Sequence, residues 1–446
     1  MKIKKVLAVI TAVAILLLCS GCSLNLFSVE SLLTPPVQSG KNGEVQEAFG
    51  KLKGNEKIQL KTPVSGDFQS SFVFFDIDGD DVDESLVFYS DSSVESSVRM
   101  ALMTKVDGDW VISADIKGAG SGVFDVSFSD LDSDGMCEIF VSWSLFDNKM
   151  TYIVSIYAPV LNSENTFNLE ALGNEYCNSK TFADFNGDLK NDLVLVYLDD
   201  TGAVPKSFLR LFSLSQNREL VKYAEVRLDG AVTSVVKIQS DIIKAEHNSY
   251  SRLFIDCRKT DRMIFTEMVY WDVVNSTPVR AIKNPSVTTA RSIDIQCRDI
   301  DGDGYIEIPV LTKLPGDEKM FSVTDYNEIY TFTLLEWSDE KGDTERRDIK
   351  TLYNPLDSYL FLFPWNGTVS VRYDAGRDAL LFCEWSESEK KYKDELFSVA
   401  FRESYDSEVY GGVVYESQNG RYYYDITESG ESFGITYDMI ISSFIK

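Results

Sequence analysis

The chain has few of the residues on which most catalytic and nucleic-acid sites depend. Its 446 residues contain one histidine, His247, which leaves little room for imidazole catalysis or a histidine-rich zinc site. His247 lies in a polar stretch, where we expect a surface loop. Lys and Arg number 43 against 70 Asp and Glu, and no long basic run occurs, so we expect no nucleic-acid partner.

Proline and cysteine are also scarce. The chain has 11 prolines, while 44% of its residues are hydrophobic, which excludes a disordered or collagen-like polymer. Beyond residue 22 there are five cysteines, an odd number, so at least one thiol is unpaired within the chain. They are Cys137, Cys177, Cys257, Cys297 and Cys383. Two pairs are forty residues apart, so the sequence leaves open disulfides 137–177 and 257–297 beside the alternative of buried thiols.

The first 22 residues have the pattern of an export signal. Lysines at positions 2, 4 and 5 precede an apolar run at 6–18, and Cys19-Ser20-Gly21-Cys22 follows. A run of 13 residues is too short to cross the ~30 Å hydrocarbon core of a bilayer. The segment resembles a bacterial lipoprotein signal, with Cys19 in the place usually held by leucine. The resemblance implies that Cys22 carries a lipid anchor and holds the protein at the cell membrane, facing the extracellular side.

A polar segment separates this signal from the rest of the chain. It includes Thr34-Pro35-Pro36, which predicts a flexible tether. Within it Val45, Phe49 and Leu52 are spaced to share one side of a short helix at 44–52. The sequence therefore predicts a signal peptide at 1–21, a lipidated N terminus and linker at 22–56, and one domain at 57–446.

Four acidic nonamers repeat along the domain. They are DIDGDDVDE from Asp76, DLDSDGMCE from Asp130, DFNGDLKND from Asp184 and DIDGDGYIE from Asp299. The first two intervals are 54 residues each and the third is 115, about twice that, as if a degenerate copy lay near residue 241. A fixed period of this length is typical of repeat architectures.

Strand patterns accompany each copy. A short β-branched or aromatic run follows each nonamer, at 86–89, 139–143, 193–198 and 306–311. Two further runs in the first period, 98–106 and 110–116, are joined by Asp107-Gly108, a hairpin signal. Similar runs continue at 359–363, 368–373, 379–385, 408–415 and 422–426.

About four antiparallel strands per period predict an all-β fold, a β-propeller. Its length favours about seven four-stranded blades, with six as the alternative. Thr436 and the apolar spacing after it predict a short terminal helix at 436–445, so we expect a strand at 57–62 to close the ring.

The nonamers place side-chain oxygens at positions 1, 3, 5 and 9. These residues are Asp76, Asp78, Asp80, Glu84; Asp130, Asp132, Asp134, Glu138; Asp184, Asn186, Asp188, Asp192; and Asp299, Asp301, Asp303, Glu307. So many oxygens around a tight loop suit a hard cation, and a flexible shell of six to eight oxygens suits calcium better than magnesium. An EF-hand loop carries an acid at position 12. This chain has apolar residues there, which argues against EF-hands: Val87, Val141, Leu195 and Val310.

The nonamers resemble the calcium loops of FG-GAP/VCBS-type propeller repeats, the family that includes the heads of integrin α-subunits. The resemblance implies that calcium is bound by the sixteen residues above. The family usually has glycine at position 6, where Gly135 and Gly304 comply and Asp81 and Leu189 do not. With Leu189 and only three carboxylates, the third loop is the one we expect to bind calcium most weakly.

These observations predict a membrane-anchored extracellular binding or adhesion lipoprotein with an unidentified protein or glycan ligand. Calcium-bearing propellers also occur in polysaccharide lyases and hydrolases, and abundant acidic pairs keep carboxylate catalysis open. A structural subunit of an envelope complex is a third alternative. Fold alone does not decide among them.

Overall fold

A computed structural model of the chain describes residues 40–54, 57–91, 97–145, 151–162, 166–244, 249–260, 263–292, 294–300, 302–311, 316, 321–323, 328–338, 343–354, 359–363, 368–402 and 412–445. The predicted signal peptide, Cys22, His247 and Asp301 lie outside these residues. The described chain is an all-β protein of repeated four-stranded antiparallel sheets, an arrangement compatible with a propeller-like repeat.

Helix α1 (Lys41–Lys53) precedes the first sheet. It is longer than the predicted 44–52 segment, and it buries Val45 and Phe49 but leaves Leu52 50% exposed. The first sheet has the order β1-β3-β4-β5, with β2 also paired to β3. Its strands are β1 (Ile58–Leu60), β2 (Phe72–Phe75), β3 (Glu84–Asp91), β4 (Val98–Val106) and β5 (Asp109–Lys117). Asp107 and Gly108 adopt positive φ in the β4–β5 hairpin turn, as their sequence predicts.

The next three sheets have four strands each, paired in chain order. The second sheet contains β6 (Gly122–Ser129), β7 (Glu138–Ser144), β8 (Tyr152–Leu161) and β9 (Phe167–Cys177). The third contains β10 (Ser179–Ala183), β11 (Asp192–Asp199), β12 (Lys206–Leu214) and β13 (Leu220–Arg227). The fourth contains β14 (Ser234–Lys244), β15 (Ser249–Thr260), β16 (Met263–Asp272) and β17 (Thr277–Arg280), and the short helix α2 (Pro285–Thr288) follows.

The last two sheets complete the described fold. The fifth contains β18 (Ile308–Leu311), β19 (Phe321–Val323), β20 (Glu328–Ser338), β21 (Asp343–Asn354) and β22 (Tyr359–Phe363). The sixth contains β23 (Val369–Asp374), β24 (Ala379–Ser386), β25 (Lys391–Arg402), β26 (Gly412–Glu416) and β27 (Arg421–Ile426). Helices α3 (Glu428–Phe433) and α4 (Tyr437–Ser442) follow, and β28 (Phe444–Ile445) pairs with β22. The helix predicted at 436–445 is the shorter α4, capped by the Thr436 hydroxyl, which accepts from the Met439 N–H at 3.3 Å. The prediction was wrong at its end, because Phe444 and Ile445 form β28 by pairing with β22.

Apolar clusters lie between consecutive sheets. One joins the first and second sheets through Phe88 and Trp143, and another joins the third and fourth through Val196 and Phe265. The remaining clusters join the second sheet to the third, the fourth to the fifth, and the fifth to the sixth. Each sheet thus buries a face against the next one along the chain, as stacked repeats do.

The predicted ring closure stays a prediction. Strand β1 forms within the predicted 57–62 segment, but it pairs with β3 of its own sheet and not with a C-terminal strand. The face of the first sheet that is turned away from the second packs against Val45 and Phe49 of α1. Within the described ranges no apolar cluster is shared by the first and sixth sheets. The described residues form six sheets, and neither seven nor six blades is established.

The described residues also show the state of the cysteines and the lengths of the helices. All five cysteines beyond residue 22 are unpaired thiols, and four of them are buried, which agrees with the alternative of buried thiols. No helix in the described part of the chain is both long and apolar enough to cross a bilayer.

Candidate metal centres

The acidic nonamers occupy equivalent places in the sheets. Each of the first three joins two strands that pair with each other in antiparallel fashion: β2 with β3, β6 with β7, and β10 with β11. The fourth leads into β18 and is closed by the antiparallel bridge between Arg298 and Glu307. The four loops therefore have the same connectivity to the strand that follows them.

Position 1 organises each loop through backbone hydrogen bonds. In the first loop Asp76 accepts from the N–H of Gly79 at 2.7 Å and from that of Asp81 at 2.9 Å, at positions 4 and 6. The same two positions donate to Asp130, Asp184 and Asp299 in the other loops, over 2.6 to 3.0 Å. An acid at position 1 thus fixes the turn, which explains why an aspartate begins every copy.

Positions 5 and 9 repeat a second pattern. Each position 5 acid accepts from the N–H of position 7, over 2.8 to 3.0 Å. Each position 9 acid accepts from the N–H of position 2, over 2.7 to 3.1 Å. The position 9 acids are Glu84, Glu138, Asp192 and Glu307, and all four are buried. One oxygen of each position 9 carboxylate is therefore held by the loop backbone.

Two positions of each loop lie in the left-handed region of φ. Position 6 has φ between 65° and 92°, and it is Gly135 or Gly304 in two loops but Asp81 and Leu189 in the others. Position 4 has φ between 62° and 80° and is glycine in three loops and Ser133 in the second. From the sequence we expect glycine at position 6 alone. The recurring glycine at position 4 was the signal for the second turn.

Three carboxylates converge in three of the loops. The groups are Asp76, Asp78 and Glu84; Asp130, Asp132 and Glu138; and Asp299, Asp303 and Glu307. In each group the oxygens lie within 4.8 Å of one another. Asp80 and Asp134 fall outside the groups of their loops, and no such group forms in the third loop, whose four residues are all described.

Burial strongly raises the pKa of the position 9 carboxyl group in the first three loops. Burial, reinforced by the neighbouring acids of the loop, raises the pKa of Glu84 and of Glu138 to about 7. The same cause raises the pKa of Asp192 to about 7 and raises the pKa of Asp78. Carboxylates in this state gain most from a nearby cation, because it removes both the repulsion and the cost of burying a negative charge.

Among the described loop residues, Asp78 Oδ1 and Glu138 Oε1 are buried oxygens that receive no hydrogen bond. A buried carboxylate oxygen without a donor is costly, whereas coordination to a metal satisfies it. The residues present therefore fit a hard cation held by oxygen.

Within the described residues of the fourth sheet there is no acidic loop, and a buried ion pair lies near residue 241. Asp241, where the period predicts a degenerate copy, lies within strand β14 and not in a turn. Arg252 of β15 donates to both of its carboxylate oxygens, at 2.7 and 2.5 Å, and both side chains are buried. Asp241 Oδ2 also accepts from the N–H of Ile306, at position 8 of the fourth loop. In the second loop the position 8 N–H, of Cys137, binds the Ile77 carbonyl of the first loop instead.

One motif of catalytic type does not have a catalytic geometry. Residues 430–434 read Gly-x-Ser-x-Gly, but Ser432 lies near the end of helix α3 and not in a sharp turn between a strand and a helix. The raised pKa values of the position 9 acids, which in other settings indicate catalysis, are explained by the loops that contain them.

No family model matches the chain, and a search of curated proteins finds no similar sequence. The resemblance to FG-GAP/VCBS-type repeats therefore rests on the loops and on the strands around them.

Proposed function

We propose that the chain is a membrane-anchored extracellular binding lipoprotein built on a β-propeller of FG-GAP/VCBS type, with calcium in its acidic loops. The observation that carries this proposal is the common backbone hydrogen-bond pattern of the four nonamers. Four loops of different sequence adopt one conformation, and in three of them the acids at positions 1 and 9 converge with a third carboxylate. Calcium, once bound, would neutralise these acids and tie the start of each following strand to its loop.

Calcium fits this donor set better than the other common ions. The groups offer carboxylate oxygens and no imidazole or thiolate, which argues against zinc. Their oxygens belong to loops whose backbone carbonyls can add further ligands, which suits a large ion with a flexible shell better than magnesium. The residues that would hold calcium are the sixteen named in the sequence analysis, with the third loop the weakest.

A cavity of about 300 Å³ supports the proposal that the protein binds a ligand. It lies where β6, β10 and β14, the first strands of three consecutive sheets, approach one another. Its lining includes Asp125, Lys180, Ser142 and Tyr152, and Lys180 donates to Asp125 and, at 3.0 Å, to Ser142. Charged, hydroxyl and aromatic groups in the lining suit the hydroxyls and ring faces of a sugar. A glycan is therefore the ligand to test first.

Retention on immobilised polysaccharides tests this proposal. The full chain in millimolar calcium is passed over a panel of surface and plant polysaccharides, and the eluate is assayed for released sugars. We expect retention of the protein without sugar release, and loss of retention in Lys180→Met. Arg210→Gln, which removes a charge paired with Glu225 away from the cavity, is the control and should be retained.

The outcomes separate the three functions. Release of shortened products would favour the enzyme. A protein that co-purifies in a fixed ratio, with no retention on any polysaccharide, would favour the structural subunit.

A further inference from the structure

Arg218 lies against the second acidic loop. It is in the turn between β12 and β13 of the third sheet, with φ at 59° and its N–H donating to the Ser215 carbonyl at 2.9 Å. Its guanidinium nitrogens lie 3.7 Å from Glu138 Oε1, 3.9 Å from Asp134 Oδ2 and 4.0 Å from Asp132 Oδ2. One cation therefore faces three of the four acids of that loop.

The contacts are those of an ion pair without hydrogen bonds. All three distances exceed the range of a hydrogen bond. Glu138 Oε1 and Arg218 Nε are both buried atoms with no hydrogen-bond partner, and Glu138 is 0% exposed. The guanidinium thus balances the charge of the loop without satisfying its oxygens.

The first and third loops have no comparable neighbour within the described residues. Lys41 pairs with Asp83, which is position 8 of the first loop and not one of its inward-facing acids. Lys190 of the third loop points away from its own acids and donates to the Asp132 carbonyl of the second loop at 2.7 Å. Positive charge from the third sheet is therefore concentrated on the second loop.

We propose that Arg218 is a built-in counter-ion that competes with a divalent cation for the second loop. This inference rests on the proposed calcium binding and adds its regulation at one site. A divalent ion among Asp130, Asp132 and Glu138 would lie a few ångströms from the guanidinium, so the two positive charges would repel each other. The attraction of the acids for Arg218 must also be given up when the metal binds. The second loop is then ordered without metal and binds calcium more weakly than the first.

The coupling acts in both directions. If Arg218 weakens calcium binding, calcium weakens the contact of Arg218 with the loop by the same factor. Calcium at the second loop therefore loosens the turn at 215–219. Through this turn the third sheet responds to an ion bound at the second.

Met136 provides a reporter for this one site. It occupies position 7 of the second loop, and its N–H donates to Asp134 at 2.9 Å. The full chain is labelled with ¹³C at the methionine methyl groups, Met136 is assigned with Met136→Leu, and calcium is titrated at constant ionic strength. We expect Arg218→Gln to raise the calcium affinity reported by Met136 by about tenfold or more.

Two variants serve as controls. Arg210→Gln removes an equal charge from the same sheet, where the partners are Glu175 and Glu225, and should change the affinity less than about twofold because of screening. Arg218→Lys keeps the charge and should stay near the affinity of the parent chain. Equal affinities of the parent chain and Arg218→Gln at Met136, with calcium binding elsewhere, would overturn the inference and leave the proposed function standing. No calcium binding by any variant would overturn both.

Thermal unfolding gives an independent readout. Arg218→Gln should lower the unfolding temperature in EGTA, because the acids lose their counter-ion, and the deficit should vanish or reverse in saturating calcium. A purely structural role of Arg218 predicts the same deficit in both buffers, and that result would contradict the proposal.

Discussion

Asp115 joins three elements at the first sheet through one carboxylate. It accepts from Lys53 of α1 at 2.5 Å, from the Tyr89 hydroxyl of β3 at 2.6 Å and from Arg99 of β4 at 2.9 Å. Burial opposes ionisation, but these donors outweigh it and lower the pKa of Asp115. Burial also opposes the charge of Lys53, yet its contacts with Asp115 and Tyr89 raise the pKa of its ammonium group. The ionised Asp115 carboxylate thus adds a polar contact to the apolar packing of α1 on the first sheet.

The lowered pKa of Asp115 predicts how the stability of the fold depends on pH. A carboxyl group with a lowered pKa stabilises the fold above its ordinary value of about 4, and the contribution is lost as pH falls through the folded-state pKa. Asp115→Asn should therefore cost about 2 kcal/mol of unfolding free energy at pH 7 and much less near pH 2. Urea titrations at both pH values measure this. Asp109→Asn, at an exposed position of the same strand, is the control, and a deficit independent of pH would contradict the prediction.

At the scale of the element, the third loop keeps the common conformation with an unfavourable residue. Leu189 has φ at 70° and is 84% exposed, so its side chain contributes little burial to offset the strain. Its loop also lacks the converging group of three carboxylates that the other loops have in the described residues. The conformation is maintained by Asp184 and Asp192, which accept the same backbone hydrogen bonds as their counterparts.

Leu189→Gly should stabilise the protein by about 1 kcal/mol, because glycine adopts positive φ without strain. Leu161→Gly is the matched control. Leu161 is also exposed, at 53%, but it ends strand β8 and its φ is not positive. Glycine at this position should therefore destabilise the protein. Differential scanning calorimetry of both variants decides the point. If Leu189→Gly were as harmful as Leu161→Gly, strain at position 6 would be excluded.

At the scale of the whole molecule, sequence reasoning recovered what is local and repeated. The nonamers, the strands after them, the Asp107-Gly108 hairpin and the Thr436 cap each follow from side chains that act within a few residues. The features that the sequence did not predict include two non-local pairings and one short helix. The pairing of β1 with β3 is set by where the chain returns, and the ion pair of Asp241 joins residues of neighbouring strands. Helix α3 was missed because Gly430, inside it, reads as a turn residue, although it fits where a side chain would meet the Leu396 carbonyl.

Calcium should stabilise the whole domain through its loops. A tenfold excess of calcium over the dissociation constant contributes about 1.4 kcal/mol for each site that only the folded state forms. Thermal unfolding of the full chain in EGTA, magnesium and calcium should show the highest midpoint in calcium. Glu84→Gln should remove one bound calcium, whereas Asp109→Asn should remove none, as counted by equilibrium dialysis. An unchanged midpoint after chelation would exclude metal at these loops.

Helix α1 gives the first sheet a mechanical role. Val45 and Phe49 cover the face of that sheet which is turned away from the second, and Lys53 is tied to Asp115. A force applied to the chain ahead of residue 40 therefore acts on the contacts of α1 with the first sheet before it acts on any described strand. Force applied from that end would peel the helix away first, leaving the stacked sheets and their acidic loops to bear tension only afterwards.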